Sequence, residues 1–156
     1  MKKIFKKVLL CTITLATLFV LTGCTKVAIT AEQYKDKMEK LDFDVEDVTS
    51  QYKYSNMVKT GYVAIKAGKI FQIEFYELRT ESDAVSMYNT NKQKFENEKG
   101  SSSINTNVEG KNYSKYTLTT GGKYKVVCRV ENTLIYLNVD DEYKNEVKQV
   151  LDSLGY

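Results

Sequence analysis

Cys128 is the first residue to weigh as a nucleophile in this chain, and its surroundings argue against that role. Val126 and Val130 stand two positions to either side. On a strand that spacing places all three on one apolar face, where a cysteine behaves as a small hydrophobe. The 156 residues contain no histidine. Ser-His and Cys-His pairs, imidazole acid-base catalysis and the commonest zinc ligand are therefore unavailable. The acidic run Asp42, Asp44, Glu46, Asp47 invites a calcium loop. Such a loop needs glycine at its sixth position and glutamate at its twelfth, and here those places hold Asp47 and Lys53. Glu74 and Glu77 lie three apart, so on a strand they face opposite ways and cannot act as an acid-base pair. No site for a metal or any other cofactor is expected.

What remains is recognition. Six residues, Tyr113, Lys115, Lys125, Arg129, Tyr136 and Asn138, are expected to share one sheet face. A basic, aromatic face of that kind suits a glycan, a peptide or an anionic wall polymer, or rests on anionic headgroups.

The elements that would carry these residues can be read from periodicity. Thr30 and Gln33 form a capping box for a helix over about 31–41, with Tyr34, Met38 and Leu41 as its stripe. A short strand over 43–48 is followed by a hairpin, 60–66 and 69–78, turning at Ala67-Gly68. Phe71, Ile73, Phe75, Tyr62 and Ala64 form one face of that hairpin. Val63, Ile65 and Ile70 make the other face apolar too, which predicts cover on both sides. A second helix runs over about 82–99 and ends at Gly100. Strands follow over 104–109, 113–119, 123–131 and 133–139. A last helix is capped by Asp140, carries Tyr143, Val147, Val150, Leu151 and Leu154, and ends at Gly155. The order α-β-β-β-α-β-β-β-β-α predicts an α+β domain, a mainly antiparallel sheet with three helices.

Register can be argued for the last three strands. A two-residue turn at Glu131-Asn132 sets Cys128 opposite Ile135. For the preceding turn, Gly121-Gly122 alone would bury Lys115, whereas a three-residue loop over 120–122 buries Tyr116 and Leu118. Burying lysine is the costlier choice, so the longer loop is expected. That choice is what unites the six candidate face residues.

The N-terminus has a different logic. Met1 to Lys7 holds four lysines and no acid, and Val8 to Leu21 is a mostly apolar run of about 14 residues. That is short of the ~20 needed to span a bilayer and fits a secretory signal. Leu21-Thr22-Gly23-Cys24 closes it. This segment resembles the lipobox of bacterial lipoprotein precursors. The resemblance implies diacylglycerol on the Cys24 thiol, cleavage before it, and an anchor at the outer leaflet of the cytoplasmic membrane. Beyond Cys24, residues 72–78 with the following helix, and the ending from Leu134 to Tyr156, loosely resemble small lipoproteins of low-GC Gram-positive bacteria.

This reading divides the chain into a signal peptide over 1–23, a lipidated tether over 24–29 and one domain over 30–156. The chain's +3 charge belongs to the signal, because removing four lysines leaves −1, so no nucleic-acid partner is implied. Only Cys128 then remains as a free thiol, and no internal disulfide can form. The expected function is that of a non-catalytic binding or accessory domain, lipid-anchored outside the cytoplasm. Its partners would be a wall polymer, a peptide or a membrane protein. The alternatives are a histidine-independent enzyme acting on wall polymer or lipid headgroup, and a structural or blocking protein that docks by a strand edge.

Overall fold

The computed structural model describes residues 25–68 and 71–156. Cys24 and the expectations that fall on Lys69 and Ile70 lie outside the described residues. Helix α1 (Ala31–Lys40) opens on the expected capping box. Thr30 Oγ1 accepts from the Gln33 N–H at 3.2 Å, and Gln33 Oε1 accepts from the Thr30 N–H at 2.9 Å. Tyr34 and Met38 are buried, but Leu41 sits past the helix and is exposed, so it is not part of the stripe. Asp42, in a left-handed conformation, turns the chain into β1 (Phe43–Asp47). A 3-10 turn leads to β2 (Val58–Lys66) and β3 (Gln72–Leu78). Helix α2 (Glu81–Asn97) is capped by Thr80 Oγ1, which accepts from the Asp83 N–H. It stops at Glu98, two residues before Gly100. The chain continues through β4 (Ile104–Glu109), β5 (Tyr113–Thr120), β6 (Lys123–Val130) and β7 (Thr133–Asp140) to α3 (Lys144–Leu154). Asp140 precedes a 3-10 turn, without a side-chain cap bond, rather than α3 itself.

The fold is α+β, as expected: among the described residues there are three helices and one seven-stranded antiparallel sheet, ordered β1-β2-β3-β7-β6-β5-β4. Helix α2 is the crossover that carries the chain from β3 to the far edge. The sheet has a core on each face. On one, α1 and α3 bury Tyr34, Met38, Phe75, Val126, Cys128, Ile135 and Leu151 in a single cluster. On the other, α2 buries Tyr76, Leu78, Tyr88, Phe95, Tyr116, Leu118 and Val127.

The second core corrects the register. Gly121 and Gly122 both have positive φ, 55° and 74°, and form a two-residue hairpin turn that pairs Thr120 with Lys123. Tyr116 therefore opposes Val127 and faces α2, while Lys115 opposes Cys128. The cost expected for burying Lys115 is avoided. Its stem lies at the margin of the core, half-buried, and its ammonium donates to the Tyr156 carbonyl at 3.3 Å.

Tyr116 keeps a polar atom without a partner among the described residues: its hydroxyl is buried and makes no hydrogen bond to them. Tyr116→Phe is expected to stabilise the protein by about 1 kcal/mol by removing that desolvated group. Thermal unfolding would show this as a Tm higher by a few degrees.

Candidate functional site

The six residues expected on one face are divided between two. Lys125, Arg129, Tyr136 and Asn138 lie on the α2 side, whereas Tyr113 and Lys115 lie on the α1–α3 side, a consequence of the two-residue turn. Nor are the two central cations free. Lys125 is 4% exposed and ion-paired with Glu98, at the C-terminal end of α2. Arg129 is 8% exposed, and its guanidinium meets Glu81, in the first turn of α2, at 3.1 Å. These two side chains fasten the helix to the sheet, and reversing their charges would loosen α2 rather than probe a ligand face.

Helix α2 packs across β6, β7, β5 and the end of β3, shares its core with Val58 at the start of β2, and leaves the rest of β2 uncovered. The part of the sheet left open carries Val63 and Ile65, both only half-buried, with Gln72, Glu74, Tyr136 and Asn138 beside them. The second face of the hairpin is thus covered only in part: Val58, Tyr76 and Leu78 are buried on the α2 side, whereas Val63 and Ile65 are left open. Two adjoining hollows of about 330 and 280 Å³ share Ile65, Gln72 and Glu74 and form one groove over this surface. An open groove with two aliphatic side chains in its floor and converging polar groups is a candidate binding surface.

Glu74 stands at its middle. Its two carboxylate oxygens accept from Gln72 Nε2 at 3.0 Å and from the Tyr76 hydroxyl at 2.6 Å. The Tyr52 and Tyr76 hydroxyls are 2.8 Å apart, which extends the network to the 3-10 turn. Burial raises the Tyr76 phenol well above its ordinary range, and the bond to Glu74 adds to the shift. Tyr136 forms the far wall, stacked on Phe95 of α2 with ring centroids 5.4 Å apart. Its phenol is likewise raised, first by burial and then by Glu74 and Glu98. In the ladder Glu46 pairs with Val63, Val63 with Glu74, and Glu74 with Tyr136. Glu46 and Glu74 therefore flank Val63 on one face, about 10 Å apart by two strand spacings. The groove offers hydrogen-bond acceptors, the amides of Gln51, Gln72 and Asn138, one aromatic wall and an aliphatic floor. Tyr136 and Asn138 are the two expected site residues that line it. The signal for the rest was the apolar second face of the hairpin.

The remaining expectations fall as follows. Cys128 is buried, a free thiol pushed up to about 12 by that burial. Glu74 and Glu77 occupy opposite faces, and Glu77 pairs with Lys59 at 2.7 Å. Asp47 caps its own turn. Hydrogen bonds from Thr49, side chain first and then backbone, hold its carboxyl below the usual range. Among the described residues no group of three or more acids and cysteines could hold a metal ion, and no helix is long and apolar enough to cross a membrane.

A second constellation sits where the described chain begins. The Asn112 side chain grips both backbone groups of Lys26: its Oδ1 accepts from the Lys26 N–H at 3.0 Å, and its Nδ2 donates to the Lys26 carbonyl at 2.7 Å. The Lys26 ammonium donates to the Gly155 carbonyl at 2.9 Å and lies 5.4 Å from the Tyr113 ring centre. Gly110 makes room for that ring, since a Cβ there would stand 2.0 Å from it. Ile29 is already buried in the α1–α3 core. The chain is thus bound to the domain from Lys26 onward, within the segment expected as a tether.

No family model and no curated protein matches this chain. Among solved structures it is similar to a GTP binding regulator from Thermotoga maritima, at 17% identity and a TM-score of 0.49. The match covers 78% of this chain and 84% of that one.

Proposed function

We propose that this protein is a non-catalytic binding domain fixed by lipid on Cys24 to the outer leaflet of the cytoplasmic membrane, with the Glu74 groove as its ligand site. The observation that carries the reading is the sequence Leu21-Thr22-Gly23-Cys24 behind a basic, apolar leader. The Asn112 clamp supports it. A domain that grips its chain two residues after the acylated position stands about 7 Å or less from that residue, and the bilayer then sets its orientation. The absence of histidine, the enclosed thiol and the separated carboxylates favour binding over catalysis. Wall polymer and peptide segments are the ligand classes that an open groove with amide, carboxylate and aromatic groups would take.

Changing Cys24→Ala in the full chain tests the anchor. The variant is expected to leave the membrane fraction almost entirely, while the parent remains there and takes up a labelled fatty-acid precursor. Retention of Cys24→Ala in the membrane, or a parent without label, would refute the reading.

A further inference from the structure

We propose that the free edge of β4 pairs antiparallel with β4 of a second copy, joining two seven-stranded sheets into one. The two edges of the sheet are built differently. Strand β1 has five residues, carries Asp44, Glu46 and Asp47, and lies beside α1, so a second β1 would meet like charge. Among the described residues strand β4 bonds only to β5, and all six of its residues are exposed, Ile104 at 68% and Val108 at 47%. It contains no proline and no lysine, and its ladder with β5 runs without a bulge. Its one charge, Glu109, already faces Lys92 at 3.8 Å. Edges that stay alone normally carry one of the devices missing here.

The backbone fixes which residues can meet. The Gly110 N–H donates to the Tyr113 carbonyl at 2.8 Å, which makes these two a hydrogen-bonded pair. Alternation along an antiparallel ladder then turns the backbone groups of Ile104, Thr106 and Val108 toward β5, and those of Asn105, Asn107 and Glu109 toward the free edge. In a twofold pairing centred on Thr106, Asn105 and Asn107 of the two copies exchange hydrogen bonds. Thr106 then meets itself, and Ile104 meets Val108 of the second copy, twice. These are the non-bonded pairs, in which side chains approach most closely. Centring on Asn107 instead leaves Ile104 opposite Gly110. The match between Ile104 and Val108 is what selects a second copy over a foreign strand.

The twofold axis of such a pairing is perpendicular to the sheet, so the α1–α3 face of both copies looks the same way. Lys26 is held on that face by Gly155 and Tyr113. Both chain starts therefore leave on one side, as two domains on one membrane require. Only this consequence rests on acylation of Cys24; the pairing itself does not.

The test uses the full chain in bacterial membranes, with Thr106→Cys under mild oxidation. Cys128 is buried and silent, and the unmodified chain controls for Cys11 and Cys24. Most of the Thr106→Cys protein is expected at twice the monomer mass on a non-reducing gel, with Asn107→Cys and the parent remaining monomeric. Adding Val108→Lys should cut the cross-linked fraction at least fivefold. Far-UV circular dichroism confirms that these exposed substitutions leave the fold intact. A monomer alone, equal cross-linking through Asn107→Cys, or a product with a different protein would overturn the proposal. Retention of Cys24→Ala is read in a separate assay, so either reading can fail without the other.

Discussion

Raising the pH above about 10 is expected to unfold this protein cooperatively, after a plateau of constant stability through neutrality. With no histidine, no side chain of ordinary pKa changes charge between about pH 5.5 and 8. The alkaline limb has a different origin. Tyr34 and Tyr156 are buried phenols raised well above their ordinary value, chiefly by desolvation, and Cys128 is pushed up to about 12 for the same reason. Tyr124 follows at about 12. In the unfolded chain these groups release protons near pH 9 to 10, so above that range the unfolded state binds fewer protons than the folded one. Stability is thus complete below the unfolded values and falls as pH climbs toward the folded ones. Each fully shifted group contributes about 1.4 kcal/mol per pH unit. Tyr34, Tyr156 and Cys128 together give about 4 kcal/mol per unit, against a total stability of ~5–15 kcal/mol. Circular dichroism and tyrosinate absorbance should therefore change together between about pH 10 and 12. A smooth titration of all 12 tyrosines near pH 10 with the fold intact would contradict this account.

Phe75→Ala should destabilise the protein by about 3–5 kcal/mol, the range for a large aromatic removed from a packed core. Phe75 has no exposed surface and stacks on Tyr34 with centroids 4.6 Å apart and planes 16° from parallel. In the ladder it lies between Tyr62 of β2 and Ile135 of β7, in the middle of the α1–α3 core. The Tyr34 hydroxyl is anchored to the Ile73 carbonyl at 2.8 Å, so the ring above Phe75 cannot simply collapse into the space left behind. A urea midpoint that falls in proportion, with an unchanged slope, is the expected readout. A midpoint shift of less than about 1 kcal/mol would mean that the sheet and α1 can close over the gap.

The order of elements was legible because each helix and strand carries its own period, and because the Thr30-Gln33 box and the Glu131-Asn132 turn are local features. Register between β5 and β6 was not. It depends on whether one face of the sheet is buried or two, which no local pattern states. With a single core, Tyr116 and Leu118 must point toward Cys128; with α2 on the opposite face they are buried there instead. The same omission made Lys125 and Arg129 look like solvent cations. Their acids lie 27 and 48 residues away in sequence, and only the placement of α2 brings them near. Half of the groove was visible as the apolar pair Val63 and Ile65. In the sequence that pair reads as cover, because an exposed aliphatic face and a buried one have the same alternation.

Helix α2 is tied to the sheet near both ends, by Glu81 on Arg129 and by Glu98 on Lys125, and the Phe95 ring between those ends lies against Tyr136. A helix moored at two points resists swinging outward or inward beside the groove. In the proposed function, association at Glu74 is then expected to resemble a key meeting a finished lock, with little loss of entropy in the receptor and an on-rate set by encounter rather than by rearrangement.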